Sequence, residues 1–371
     1  MIERHRPRTA ATLATLAWIA VAGCAATTTT TTTTTTGRGP GVAATPAVRA
    51  AAASTTAPTQ PAPPTSATTT PAAPGPLLVE PDDGYEVVDR FIAGARRSLD
   101  MTMYELADPA AEAALEGDAA RGVDVRVLLD RKDAGGGVNA PAAAALAAAG
   151  VHVAWSYPGE LFHQKTVTVD GSTSLIMTGN LTAQYFATTR DFAVVDTDPA
   201  DVAAIEATFD ADVAGGAPGP APAGADLLWS PGSEAALVGL IGSAQHTVVA
   251  ESEEMDSPTV EAALEDDARR GVGVDVVMTD SSSWSAAFGA LTAAGVHVLV
   301  YRGESPLYVH AKAVLVDGGL PGQRAFVGSQ NFSTASMRYN RELGIVTADP
   351  AVLARLGTVL AADARGGTPW T

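Results

Sequence analysis

Two short stretches of this 371-residue chain carry the same polar residues at the same spacing. Residues 163–170 read His-Gln-Lys-Thr-Val-Thr-Val-Asp, and residues 310–317 read His-Ala-Lys-Ala-Val-Leu-Val-Asp. The chain has three lysines, and two of them, Lys165 and Lys312, follow a histidine by two positions. Alternating apolar residues predict a half-buried strand in each stretch, on which residues i and i+2 share a face. Each imidazole and its ammonium group are therefore expected to face one space, where they suit chemistry on an anionic substrate.

Each motif is followed by an amide and then by a carboxylate. Asp191 follows Asn180 by the same eleven residues (191 − 180) that separate Glu342 from Asn331 (342 − 331). This matched offset predicts that the two carboxylates hold imidazole Nδ1–H groups. The two amides and the two lysines are expected to donate hydrogen bonds to substrate oxygens. Hydroxyl side chains precede each asparagine by two residues, namely Thr178 and Ser329.

Other polar residues near the motifs are interpreted as structural. Asp170 and Asp317 each precede a glycine, a common turn pair, and are expected to serve architecture more than chemistry. His152 and His297 lie in Gly-Val-His-Val segments without a lysine partner. The acidic run at residues 251–254 lies where the first copy has Met-Tyr-Glu. It either lines the site and favours a cationic headgroup, or ends a solvated strand.

The chain beyond residue 76 is one unit written twice. Apolar strand-like segments alternate with helix-like segments in the same order in both copies, and Gly122 and Gly271 end matching helices. This order predicts an α/β fold, a duplicated α/β/α sandwich with pseudo-twofold symmetry and one site at the junction. A monomer would then suffice for a complete site. The predicted halves are residues 77–213 and 226–371, joined by a Pro/Gly-rich linker at 214–225.

The front of the chain is interpreted as a targeting segment. Residues 1–24 combine three arginines, an apolar stretch and the sequence Val-Ala-Gly-Cys, which resembles a bacterial lipoprotein signal with Cys24 as the lipidated residue. Residues 25–76 are rich in Thr, Ala and Pro, with ten consecutive threonines, and predict a disordered linker. We expect an extracytoplasmic protein anchored to the bacterial cell membrane, or a secreted one. Cys24 is the chain's single cysteine, which excludes an intrachain disulfide.

The doubled motif, with Gly-Ser-x-Asn and a later acidic residue, resembles the phospholipase D superfamily and its short bacterial branch of nucleases and cardiolipin-type phosphodiesterases. The resemblance covers about residues 77–350 and implies phosphodiester hydrolysis through a covalent phosphohistidine, with no metal or other cofactor. It further implies that His163 is the nucleophile and His310 the acid, a choice that the residues alone leave open. The first copy departs from the family with Met177-Thr178 in place of Gly-Ser, and the second copy carries extra residues at 318–324.

Three functions compete at this stage. A net charge of −18 favours a phospholipid substrate over nucleic acid, whose phosphates bind basic surfaces. The first alternative is an endonuclease of the same superfamily. The second is an inactive surface module that binds anionic headgroups.

Overall fold

The computed structural model describes residues 75–134, 137–303 and 305–371. The predicted signal segment with Cys24 and nearly all of the predicted linker lie outside these residues. None of the helices that the structure describes is both long and apolar enough to cross a bilayer.

The described residues form two halves with matching element order. The first half contains β1 (Leu77–Glu80), α1 (Glu86–Ile92), β2 (Ser98–Met103), β3 (Leu106–Ala107), α2 (Pro109–Ala120), β4 (Asp124–Leu129), α3 (Asn139–Ala148), β5 (His152–Trp155), β6 (Thr166–Val169), β7 (Thr173–Met177), β8 (Leu181–Thr182), a 3₁₀ turn (Ala183–Tyr185), β9 (Thr189–Asp196) and α4 (Pro199–Val213). The second half contains β10 (Leu227–Ser230), α5 (Glu234–Gly242), β11 (Thr247–Glu251), β12 (Met255–Asp256), α6 (Pro258–Arg269), β13 (Gly273–Thr279), a 3₁₀ turn (Ser282–Trp284), α7 (Ser285–Ala294), β14 (His297–Tyr301), β15 (Tyr308–Val309), β16 (Ala313–Val316), β17 (Arg324–Gly328), β18 (Phe332–Ser333), α8 (Thr334–Arg338), β19 (Glu342–Thr347), α9 (Pro350–Gly366) and β20 (Thr368–Pro369).

Each half builds one mixed sheet, and the two sheets have the same strand order. The first runs β1-β9-β7-β6-β2-β4-β5 and the second runs β10-β19-β17-β16-β11-β13-β14-β20. Strands β2, β4 and β5 are parallel, as are β11, β13 and β14, while the other neighbours along these paths are antiparallel. The predicted duplicated α/β fold is confirmed.

Helix starts follow from local sequence. Four helices begin with proline at the first helical position, where its missing N–H costs no hydrogen bond. The residue before each proline caps the helix by accepting backbone N–H bonds from the first turn. These capping residues are Asp108, Asp198, Ser257 and Asp349.

The two His-x-Lys segments differ from the half-buried strands that the alternation predicts. Strands β6 and β16 begin only after the lysines, and most of their residues are buried on both faces. Helices and the opposite sheet cover both faces, so the apolar alternation does not mark a solvent side. At the other end of these strands, Asp170 and Asp317 adopt positive φ of 54° and 51°. Their carboxylates accept backbone N–H bonds from residues 96–98 and 245–247, which ties each turn to the start of β2 or β11.

Three large apolar clusters and one small one form the core of the described residues. One lies within each half, between its sheet and its outer helices. The third draws buried residues from both halves, including Phe192, Ile205, Leu315 and Leu356. This shared core fixes one sheet against the other.

Two buried ion pairs cross the same boundary in a pseudo-symmetric manner. Arg341 at the start of β19 forms a bidentate pair with Asp212 of α4, with both N–O distances at 2.9 Å. Arg190 on β9 pairs with Asp363 of α9 at 2.7 and 3.0 Å. Each arginine immediately precedes a predicted site carboxylate, Asp191 or Glu342, so these pairs also set where the carboxylates lie.

We expect Arg341→Met to lower the free energy of unfolding by about 3–5 kcal/mol, because it leaves the Asp212 carboxylate buried without its partner. Arg341 and Asp212 side chains are only 3% and 2% exposed, so water cannot compensate. The double variant Arg341→Met/Asp212→Leu should recover most of the loss. Urea unfolding measures all three proteins.

Arg269→Met is the control, because Arg269 pairs with Glu265 and Asp266 at the surface with its side chain 55% exposed. That change should cost less than about 1 kcal/mol. Equal losses of unfolding free energy for Arg269→Met and Arg341→Met would show that the buried pair stabilises the fold no more than a surface ion pair does.

Candidate active site

His163 is held by a carboxylate from the opposite half. Its Nδ1 lies 2.9 Å from Glu342 Oε2 and 3.2 Å from the carbonyl oxygen of Ser329. Glu342 opens β19 and is fully buried, and its second oxygen accepts a hydrogen bond from Asn340 Nδ2 at 3.1 Å. An Nδ1–H that donates to Glu342 leaves Nε2 with its lone pair.

His310 mirrors this arrangement with a carboxylate from the first half. Its Nδ1 lies 2.8 and 3.1 Å from the two oxygens of Asp191 on β9. Thr178 Oγ1 donates a hydrogen bond to Asp191 Oδ1 at 2.6 Å. The threonine of the first copy thus supplies a hydroxyl group where the family has serine. Gly179 is needed beside it, because a Cβ there would lie 2.7 Å from the Asp191 carboxylate.

Backbone pairing between the halves brings these groups together. Strand β15 pairs with β9, and His310 N donates to the carbonyl oxygen of Arg190 at 3.2 Å. In the mirrored position Phe162 bridges Arg341, and His163 N donates to Arg341 O at 2.9 Å. Each histidine is therefore anchored by backbone next to the carboxylate that its ring contacts.

The two lysines accompany their histidines in a nearly water-free setting. Lys165 and Lys312 are 1% and 0% exposed. Lys165 Nζ donates to the carbonyl oxygen of His163 at 2.5 Å. Lys312 Nζ donates to the carbonyl oxygen of His310 and lies 3.1 Å from His310 Nε2.

Burial shapes the charge states of these groups. It lowers the pKa of Lys165 to about 7, against the pull of Glu342 and with help from the neighbouring charge of Lys312. It also lowers the pKa of His163 below 6.5, where Lys165 and Lys312 act in the same direction and Glu342 opposes them. Backbone pairing places both motifs at the boundary between the halves, where Lys312 of the second half acts electrostatically on His163 of the first.

The two predicted site asparagines have incomplete hydrogen bonding. Asn180 Nδ2 donates to Glu105 Oε2 at 3.4 Å. The Oδ1 atoms of Asn180 and Asn331 are buried without a hydrogen-bond partner in the described part of the chain. Ser329 Oγ is used within the fold, where it accepts from the backbone N–H of Leu343.

The departures in the first copy and the insertion in the second leave the site intact. Met177 is 2% exposed and lies in the apolar cluster of the first half. The extra residues 318–324 fall mainly in the hairpin loop between β16 and β17, as predicted. The loop absorbs them without altering the strand register.

Sequence reasoning assigned no role to Arg190, Arg341 and Tyr104, and it left open whether the acidic run that contains Glu253 lines the site. Arg190 and Arg341 position the carboxylates that follow them. Tyr104 places its ring edge against His163, with centroids 4.8 Å apart. Glu253 Oε2 lies 3.3 Å from His310 Nε2 and 3.4 Å from Lys312 Nζ. An alignment of the two copies could have pointed to Tyr104 and Glu253, because it pairs position 104 with position 253.

No group of three or more His, Cys, Asp or Glu side chains arranged to hold a metal ion occurs among residues 75–134, 137–303 and 305–371. The described residues instead offer two oriented imidazoles, each with a buried ammonium group beside it, at the boundary between the halves. That set can attack, neutralise and protonate an anionic substrate.

Comparison with solved structures shows the fold that the chain shares with known proteins. The chain is similar to phosphatidylserine synthase from Haemophilus influenzae Rd KW20 (TM-score 0.63, 12% identity, 80% of this chain and 87% of that one). It is also similar to polyphosphate kinase from Porphyromonas gingivalis (TM-score 0.58, 17% identity, 77% of this chain), of which it spans only 50%. Nuc from Salmonella typhimurium, a phospholipase D family member, matches 39% of this chain with 19% identity and a TM-score of 0.35, over 95% of its own length. No curated protein sequence matches the chain.

The family model described as "Cardiolipin synthase, PLD-like domain" matches the chain twice, over residues 88–213 and 237–363. Each match contains one His-x-Lys motif and the carboxylate that serves the other half. With more than half of its length matched in this way, the chain belongs to the phospholipase D superfamily and carries two PLD-like domains in tandem.

Proposed function

We propose that this protein is a phosphodiesterase of the phospholipase D type, which hydrolyses phospholipid headgroup diesters through a covalent phosphohistidine. The observation that carries the proposal is the crossed pair of imidazole–carboxylate contacts. Each histidine is oriented through Nδ1 by the opposite half, and each has a buried lysine beside it. Two such imidazoles are what a double displacement at phosphorus requires.

In the first step His163 Nε2 uses its lone pair to form a bond to phosphorus. The bond from phosphorus to the leaving oxygen breaks, and that oxygen takes the electron pair and a proton from His310 Nε2. Glu342 stabilises the positive charge that develops on the His163 ring. In the second step His310 accepts a proton from water, the water oxygen bonds to phosphorus, and the electron pair of the N–P bond returns to His163.

The lysines and asparagines serve the phosphoryl oxygens. Two ammonium groups and the amides donate hydrogen bonds to oxygens whose charge grows in the transition state. Because the site is buried, these donors act at low effective dielectric and need little reorganisation.

Three features support a phospholipid substrate. The net charge of −18 disfavours a polyanion such as DNA. The matched family model is described by a phospholipid enzyme, cardiolipin synthase. The predicted lipoprotein signal at Cys24 and its linker would hold the two domains near a bilayer, outside the cytoplasm.

The full-length protein should release headgroup from phosphatidylcholine or cardiolipin vesicles, and His163→Ala and His310→Ala should each lower the rate at least about a thousandfold, because each removes an acid–base or nucleophilic group. Quenching in alkali, in which a phosphohistidine is stable, should trap the labelled phosphoryl group on His163. His297→Ala is the control, because that imidazole is 73% exposed and contacts only Asp275 among the described residues. Undiminished turnover after removal of either site ring, or faster cleavage of single-stranded DNA than of lipid, would contradict the proposal.

The pH profile of kcat/KM should have an acid limb with its midpoint below 6.5. His163 attacks only as the neutral imidazole, and burial lowers its pKa, so activity falls as pH drops through that lowered value. Glu342→Gln removes the carboxylate that opposes this shift and should move the limb to still lower pH, with a loss of rate. An acid limb centred above 6.5 would be inconsistent with a neutral, buried His163.

Anion binding should take up protons at pH 8. Lys165, with a pKa near 7, is largely neutral there, and a sulfate ion in the site favours its ammonium form. Isothermal titration with sulfate in Tris and in HEPES should show an uptake of about 0.5–1 proton. Lys165→Met should abolish the difference between the buffers, while equal heats for the unchanged protein would argue against a lowered Lys165 pKa.

A further inference from the structure

The two halves differ in the residue that faces each lysine–histidine pair. Ser98 of β2 and Thr247 of β11 occupy equivalent register positions against β4 and β13. Counting six residues on from each strand start reaches Tyr104 in the first half and Glu253 in the second. An aromatic ring therefore lies against His163, whereas a carboxylate lies against His310.

Both carboxylate oxygens of Glu253 have polar contacts. One oxygen lies 3.3 Å from His310 Nε2 and 3.4 Å from Lys312 Nζ, and the other accepts a hydrogen bond from Tyr308 Oη at 2.9 Å. Although burial opposes it, the charges of His310 and Lys312 keep the pKa of Glu253 well below its ordinary range. Its side chain is 26% exposed, and Tyr308 is 41% exposed, so a ligand can reach it.

This carboxylate contacts the two nitrogen atoms that would meet a phosphoryl or leaving oxygen. An anionic diester that displaces Glu253 from His310 still has a negative charge a few ångströms away, which repels it. A positive charge on the leaving alcohol would reverse the sign of that interaction. Tyr308 would add a face for an ammonium group through its ring.

The neighbouring carboxyl groups do not offer the same charge. Burial raises the pKa of Glu254 to about 7, and it raises the pKa of Glu105 as well. Glu253 is the carboxylate that contacts both His310 and Lys312.

We propose that Glu253 selects phosphodiesters whose leaving alcohol carries an ammonium group, as in a zwitterionic phospholipid or a soluble glycerophosphodiester of the same alcohol. The inference rests on the proposed function, since in-line attack by His163 puts the leaving alcohol beside His310. Glu253 is then displaced from His310 by the substrate and pairs with the ammonium group.

The test compares the unchanged full-length protein with Glu253→Gln on four substrates. These are vesicles of phosphatidylcholine, vesicles of phosphatidylglycerol, glycerophosphocholine and glycerophosphoglycerol. The ratio of kcat/KM for choline over glycerol substrates should fall about tenfold in Glu253→Gln, with the choline rate lowered and the glycerol rate equal or raised. Glu254→Gln, a carboxyl next in sequence, should leave the ratio unchanged.

The outcomes separate the two proposals. A ratio shift in vesicles alone identifies the lipid as the substrate, and a shift in the soluble pair as well identifies recognition of the alcohol wherever it occurs. Equal loss on choline and glycerol substrates, or equal gain on both, overturns the selection by Glu253 and leaves the proposed function standing. No turnover of any of the four, nor of cardiolipin vesicles, by the unchanged protein overturns the proposed function and the role of Glu253 with it. Turnover of cardiolipin alone overturns only the role of Glu253.

Discussion

The site depends on an exchange of carboxylates between the two halves. Asp191 of the first half holds His310, and Glu342 of the second holds His163. Each imidazole is oriented by the opposite half, so the proposed chemistry requires that the halves dock in one register. The preceding arginines and the backbone bonds at Arg190 and Arg341 enforce that register with buried, bidentate contacts. Fold stability and site geometry are therefore set by the same few residues.

Burying several charged groups close together costs free energy, and pairing opposite charges offsets part of that cost. A lone ammonium or imidazolium group in this interior would be neutralised. Lys165 is an example, because burial lowers its pKa to about 7 although nearby carboxylates favour its charged form. Under the proposed function, the negative charge of a phosphoryl group would stabilise the ammonium form of Lys165.

Duplication gives the two halves equal frameworks, and their differences mark separate tasks. Both copies keep the aspartate turns, the proline-started helices and the crossed carboxylates. Met177 is accommodated in the core where the second copy has Gly328, so that difference concerns packing. The exchange of Tyr104 for Glu253 concerns the site, because each residue contacts its half's histidine.

The sequence by itself determined the family and the duplicated α/β fold, and it singled out the histidines, lysines and carboxylates of the candidate site. These features could be predicted because a pattern repeated at fixed spacing can be recognised in the sequence alone. Only the tertiary structure decided which carboxylate serves which histidine, since Asp191 and Glu342 are each compatible in sequence with either ring. It also decided that β6 and β16 start after the lysines and that Glu253 reaches His310. Such contacts depend on how two sheets dock through a shared core, and packing between segments distant in sequence leaves no periodic signal in the chain.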